Sequence, residues 1–214
     1  RKAAISIHDI MPVTIPGFFK NDKKTDAYRR RYQHDLLRAD LVFMTSEYSR
    51  NEIVANFKIR TEPVVIPCAP TLPAIAENSV AWDLDKTGDY FIYTGRYEKR
   101  KGLDVLVSTF IELHKAGKLK SNLLISGTPD YYSEDFRKLI LEGLSMNIVK
   151  ELGYIPDDEL LFLMQKSKAL VYPSLYEGVG LPPLEAMNVG SPVITTSCTA
   201  MPFTCGDAVM YFKP

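Results

Sequence analysis

Runs of four or five apolar or β-branched residues recur along the 214-residue chain, separated by segments whose apolar positions fall three and four apart. The short runs suit strands buried on both faces, and the wider spacing suits amphipathic helices. In the first part of the chain, strands are expected at residues 3–7 (AAISI), 41–44 (LVFM) and 63–67 (PVVIP). A polar, basic helix is expected at 24–38, and a second helix from Ser46 through Phe57. Ser46 stands where a side-chain oxygen can cap that second helix. Residues 11–19 hold two prolines and a glycine, which reads as a loop.

Pro67, Pro70 and Pro73 are followed by a polar stretch reaching Asp89, and this segment reads as an interdomain linker. Beyond it the alternation is regular. Strands are expected at 90–94 (YFIYT), 122–126 (NLLIS), 148–152, 169–173 (ALVYP), 192–196 (PVITT) and 209–212. Between them, Leu103, Leu106, Phe110 and Leu113 fall at helical spacing before Gly117. Helices are also expected at 134–144 and at 158–166, the latter behind an Asp157 cap. A short helix opens at Pro182 or Pro183 and ends at Gly190. Strand–helix alternation of this kind predicts an α/β fold of βαβ crossovers on a parallel sheet.

Lys plus Arg number 26 and Asp plus Glu number 26, so the net charge is zero. A nucleic-acid partner is therefore not expected, since it calls for a basic excess. No apolar run reaches the roughly 18 residues that span a bilayer, so neither a membrane span nor a signal peptide is expected. The cysteines, Cys68, Cys198 and Cys205, are odd in number and lack CxxC spacing, which reads as free thiols in a reducing cytoplasm. His8, His34 and His114 are scattered, so no metal site is expected.

Open parallel sheets bind ligands beyond the carboxyl ends of their strands, so the loops leaving the strands carry the candidate chemistry. After residues 90–94, Gly95 allows a sharp turn, Arg96 offers a planar fork, and Lys101 stands at the mouth of the next helix. Such a turn suits a diphosphate; a solvated basic turn is the plainer reading. Gly153–Pro156 puts an aromatic residue, Tyr154, and free backbone groups at a strand end, which suits flanking a nucleobase, and an ordinary strand-to-helix turn explains it as well. In the third loop, Gly178 and Gly180 permit close backbone approach. Glu177 and Glu185 place one carboxylate on this loop and one a turn into the following helix, where both can accept from sugar hydroxyls. Simple support of the helix end is the alternative for Glu185.

Glu177 and Glu185 have seven residues between them, inside EGVGLPPLEAM. This spacing resembles the E-x7-E motif of family 4 retaining glycosyltransferases, which have the two-domain GT-B fold. TGRYEKRKGLDVLVSTF, LGYIPDDELLFLMQKSKALVYPSLYEG, SPVITTS and GDAVMYFKP resemble successive blocks of the same family. ISIHDIMP and ADLVFMTSEYSRNEI resemble the late part of its acceptor-side domain. The resemblance covers nearly the whole chain and implies a partial acceptor-side Rossmann-like domain over 1–75 and a donor-binding, doubly wound domain over 76–214.

Roles follow by position. The resemblance implies that Arg96 and Lys101 hold the donor diphosphate and that Glu185 binds the ribose. It implies that Glu177 meets the transferred sugar, that Gly178, Val179, Gly180 and Leu181 present backbone groups to sugar and phosphates, and that Tyr154 and Ile155 flank the base. His8 would face the donor sugar from the other domain. The implied reaction is metal-independent transfer of a hexose, with retention, from a nucleotide sugar to a glycan or lipid-linked acceptor in cell-surface polysaccharide synthesis. GDP-mannose is the first expectation for the donor, from the HDIMP loop, with UDP-sugars next. No cofactor is implied, and no DxD-type pair stands ready for a metal.

The chain departs from the family pattern at Cys68-Ala69, where Asn-Gly is common, and at Phe203, where an acid is common. Its short acceptor-side part and its first residue, Arg1, lead to the expectation of a fragment. A catalytically silent domain binding a nucleotide sugar or a partner protein is the rival from another class. The basic helix, with Arg29, Arg30 and Arg31, allows weak peripheral contact with the inner face of a membrane; a solvated face is the plainer reading.

Overall fold

In chain order the elements are β1 (Ala4–Ile7), α1 (Met11–Thr14), α2 (Asp22–Arg38), β2 (Leu41–Met44), α3 (Glu47–Asn56), β3 (Val64–Val65), β4 (Tyr90–Thr94), α4 (Leu103–Lys115), β5 (Asn122–Ser126), α5 (Glu134–Ser145), β6 (Val149–Gly153), α6 (Asp157–Lys166), β7 (Leu170–Tyr172), α7 (Leu181–Asn188), β8 (Val193–Thr196), α8 (Met201–Cys205) and β9 (Met210–Phe212). The computed structural model describes residues 2–19, 21–75, 87–129 and 131–214. Two units emerge. The first comprises Arg1–Ala69 together with Tyr176–Gly180 and Thr199–Gly206, and the second comprises Pro70–Leu175, Leu181–Cys198 and Asp207–Pro214. The linker expected over 67–89 falls partly, at 76–86, outside the described residues.

In the first unit β1, β2 and β3 form a parallel sheet in that order, with Ile5 opposite Val42 and Met44 opposite Val65. Its core gathers Ile7, Ile10, Leu36, Val42, Met44, Ile53 and Phe57. Ser46 caps α3 as its sequence position suggests, its hydroxyl accepting from the Ser49 amide at 3.1 Å. The loop expected at 11–19 needs correction, because Met11–Thr14 forms one helical turn. Pro12 fits there, since first-turn amides have no intrahelical acceptor, and the Asp9 carboxylate accepts from the Met11 amide at 2.9 Å. Helix α2 starts at Asp22 rather than Lys24, because Asn21 caps it through the Lys23 amide. The third strand shrinks to Val64–Val65, flanked by prolines that cannot donate to a ladder.

In the second unit six parallel strands lie in the order β6-β5-β4-β7-β8-β9. The chain starts at β4 in the middle, winds outward through β5 and β6, then returns to β7 and winds the other way. The switch point therefore lies between β4 and β7, where Ile92 pairs with Leu170. Leu103, Leu106, Val107, Phe110 and Ile111 of α4 pack with Leu123 and Ile125 of β5 and with Phe136 and Ile140 of α5. Each fully buried side chain of this size removes apolar surface worth about 1.5–3 kcal/mol.

Two further corrections concern helix starts. Asp157 is the first helical residue of α6, not its cap; Pro156 holds the cap position with extended ψ, and no side chain caps the end. Leu181 opens α7, so Pro182 and Pro183 take its second and third positions, where missing amides cost little. Helix α8 was not expected from the sequence, and its Pro202 is again a first-turn proline. Among the described residues no helix is long and apolar enough to cross a membrane.

Candidate functional site

The second unit's site grows from the ends of β4 and β7. Gly95 leaves β4, and a 3-10 turn at Lys99–Lys101 leads to Gly102 in the left-handed conformation, φ 66°. A side chain at Gly102 would collide with the Pro173 carbonyl, so glycine is what lets this turn lie on the end of β7. The Leu175 amide donates to the Arg100 carbonyl at 2.7 Å and joins the same two loops. Lys101 is buried at 9% exposure, its ammonium donating to the Tyr172 hydroxyl at 2.6 Å. Arg96 is the opposite case. Its side chain is 84% exposed, with Nε 3.4 Å from Glu98, whose carboxylate also pairs with Arg100 at 2.8 Å. A pair so exposed holds Arg96 weakly, leaving the guanidinium available to an anion.

A cavity of ≈ 510 Å³ opens beside this turn, and Gly95, Arg96, Ser126, Gly127, Tyr154 and Ile155 are among its walls. Ile155 is buried and Tyr154 is 81% exposed, so one is fixed packing and the other a ring in solvent. Asp157 lines the same cavity. Glu185, one turn into α7, is half-buried; burial and, after it, the Asp157 charge push its carboxyl above the usual carboxylate range. Lys101, Leu181 and Glu185 are not among the walls of the cavity.

The first unit gathers the remaining candidates. His8 is exposed at the end of β1, and its carbonyl accepts from Thr45 Oγ1 and from Ser49 Oγ, each at 3.0 Å. The Gly178 carbonyl accepts from Ser46 Oγ at 2.6 Å and lies 3.2 Å from Ser49 Oγ. A Cβ on Gly178 would stand 2.9 Å from both the His8 carbonyl oxygen and Asp9 Cβ, so only glycine lets these backbones approach. Glu177 is buried at 8% exposure, and its amide donates to Thr199 Oγ1 at 3.0 Å. The Val179 carbonyl accepts from Thr204 Oγ1 at 2.6 Å. Gly180, φ 87°, faces the Met201 side chain so closely that a Cβ would collide with it. Phe203 is 56% exposed, with its ring 6.4 Å from that of Tyr48.

The structure thus brings Arg96, Tyr154 and Ile155 to one cavity and sets the His8 backbone beside Gly178. Sequence reasoning missed Tyr172, Ser49, Thr199 and Thr204. Their signal is weak: each is one polar residue whose partner lies far along the chain.

The doubly wound parallel sheet thus carries a cationic turn after β4 and a cavity beyond the carboxyl ends of β4, β5 and β6, the end of the sheet at which open α/β folds hold ligands. The chain belongs to the family described as Glycosyl transferases group 1, whose model matches residues 75–210. It is 30% identical over 226 residues to the O-antigen chain mannosyltransferase B of Escherichia coli, covering 100% of this chain and 58% of that protein. It is 24% identical over 214 residues to the O-antigen chain mannosyltransferase RfbU of Salmonella typhimurium, covering 100% of this chain and 57% of that protein. The chain therefore spans little more than half the length of these relatives. Among solved structures, the sucrose-phosphate synthase of Thermosynechococcus elongatus matches with a TM-score of 0.78 at 23% identity, over 99% of this chain and 54% of that one. Anabaena HepE in complex with UDP and glucose matches with a TM-score of 0.77 at 18% identity, over 100% of this chain and 58% of that one. The fold is accordingly that of the matched portion of these GT-B glycosyltransferases.

Proposed function

We propose that this chain carries the donor-binding part of a retaining hexosyltransferase of family 4, which moves a hexose from a nucleotide sugar to a glycan or lipid-linked acceptor. The observation that carries this reading is the cavity beyond the carboxyl ends of β4, β5 and β6, walled by Arg96, Tyr154 and Ile155, beside the turn that holds Lys101. In this reading the base lies between Tyr154 and Ile155, the ribose hydroxyls donate to Glu185, and the diphosphate meets Arg96 and Lys101. Glu177 accepts from the transferred sugar, the backbone from Gly178 to Leu181 meets sugar and phosphate, and His8 faces the sugar. No metal is needed, because fixed cations offset the charge that grows on the departing diphosphate. The acceptor attacks on the face that the diphosphate leaves, and a diphosphate oxygen takes its proton.

The O-antigen mannosyltransferase relatives favour GDP-mannose as donor, and the UDP-bound neighbour keeps UDP-sugars as the next choice. Those relatives also support a place in cell-surface polysaccharide synthesis, on the cytoplasmic side or at the inner face of the membrane. The test is transfer by the complete enzyme from GDP-mannose or a UDP-hexose to a glycan acceptor, with the product's anomeric configuration read by NMR. Retained configuration is expected; inversion overturns the mechanism, and absence of transfer from every nucleotide sugar overturns the activity.

A further inference from the structure

Beneath the cationic turn lie two tyrosines that no part of the proposed chemistry uses. Tyr93 belongs to β4 and Tyr172 ends β7, and both are 0% exposed. Their rings stack, with centroids 6.4 Å apart and 24° between planes. At comparable depth in neighbouring β5 stand Leu123, Leu124 and Ile125, so a packed layer here does not require a hydroxyl. A buried phenol needs a polar partner, and each of these finds one on the turn above. The Tyr172 oxygen accepts from Lys101 Nζ at 2.6 Å, and that ammonium lies 5.1 Å from the ring centroid. The Tyr93 hydroxyl donates to the Arg96 carbonyl at 3.2 Å. The two strands that flank the switch point therefore each send one phenol to the turn above, one to the Lys101 ammonium and one to the backbone carbonyl of Arg96.

We propose that Tyr172 and Tyr93 are positioning residues for the donor diphosphate: Tyr172 fixes the Lys101 ammonium, and Tyr93 fixes the backbone turn that carries Arg96. The proposal rests on the donor-site reading. A lysine on a flexible four-carbon stem has many rotamers, and a partner that holds its charged end in place removes the cost of ordering it on binding. A preset charge also supports the leaving group without reorganisation during the reaction.

Calorimetric titration of this chain with GDP, UDP and the matching nucleosides tests this, using the wild type, Y172F, Y93F, K101A and the K101A/Y172F double variant. Y172F keeps the ring and is expected to weaken the preferred diphosphate about 3- to 10-fold while leaving nucleoside binding unchanged. In the K101A background the same change is expected to have no further effect, because its route through Lys101 is gone. Y93F, which acts through the other strand, is expected to weaken the diphosphate and to add to K101A. Diphosphate affinity in Y172F within 1.5-fold of wild type, or equal weakening of nucleoside and diphosphate, overturns the positioning role. Should Y172F fail to fold, an unchanged diphosphate-to-nucleoside ratio in Y93F overturns it, and a lowered ratio supports it. Wild-type protein that binds neither diphosphate overturns the donor site and the tyrosine roles together, whereas wild-type binding with unchanged variants overturns the tyrosine roles alone.

Discussion

Ser46 Oγ lies 2.6 Å from the Gly178 carbonyl oxygen, joining residues 132 positions apart. The same oxygen caps α3 through the Ser49 amide. One hydroxyl thus closes a helix end and ties down the glycine of the Glu177–Gly180 segment. Ser46→Ala removes both contacts and leaves a buried carbonyl with less hydrogen bonding. The expected loss is about 1–3 kcal/mol, or about 3–8 °C in melting temperature, and Ser46→Thr should recover part of it. Thermal melts of the three proteins check this; an unchanged melting point for the alanine variant contradicts it.

Gly102 supplies a second stability test. Its left-handed backbone and its approach to the Pro173 carbonyl leave no room for a methyl group. Gly102→Ala is expected to cost about 1–3 kcal/mol from the backbone conformation alone. Diphosphate affinity should fall with it, because the turn carrying Lys101 must shift. A denaturant midpoint and a nucleotide titration on the same sample read both effects.

Glu185 gives a pH dependence of known sign. Its folded carboxyl titrates above the usual carboxylate range, because burial and Asp157 disfavour the ionised form. The neutral form therefore favours the folded state: the stability from this group is present below the ordinary carboxylate range and is lost as pH rises through the raised value. Glu185→Gln should melt higher than wild type near neutral pH, with the difference closing as pH falls toward about 4. Nucleotide affinity should move the other way in the wild type, falling with acid as the ribose acceptor protonates. Melting curves and titrations across that range check both limbs. A glutamine effect that does not vary with pH contradicts the assignment.

Glu177 separates chemistry from donor binding. Glu177→Ala in the complete enzyme is expected to lower turnover about 10²-fold or more through lost positioning of the sugar. Steady-state kinetics check this, and turnover within a factor of three of wild type contradicts the role.

The sequence carried the second unit well and the first unit less well, for physical reasons. Strands β4 and β5 match their expected spans because continuous apolar runs between polar turns leave little choice of end. Helix α4 was legible from its three-four spacing and Gly117. Helix α1 was hidden because the prolines and glycine of 11–19 read as a loop, although a first-turn proline such as Pro12 costs almost nothing, and α8, with its own first-turn Pro202, was not expected from the sequence. The loaded loops were legible because glycine, arginine, lysine and glutamate carry their chemistry locally. Tyr172 was not, because a phenol in an apolar strand looks like core until its partner on another loop is known. The grouping of Tyr176–Gly180 with the first unit was equally hidden, since Ser46 and Gly178 are neighbours only after folding.

The most direct test of the donor site is titration of this chain with GDP, UDP and ADP, repeated with Lys101→Ala and Glu185→Ala. The expected result is saturable binding of at least one nucleoside diphosphate, GDP foremost, weakened tenfold or more by either substitution. Absence of binding by all three, or affinities that neither variant changes, would contradict a nucleotide-sugar site at the carboxyl end of this sheet.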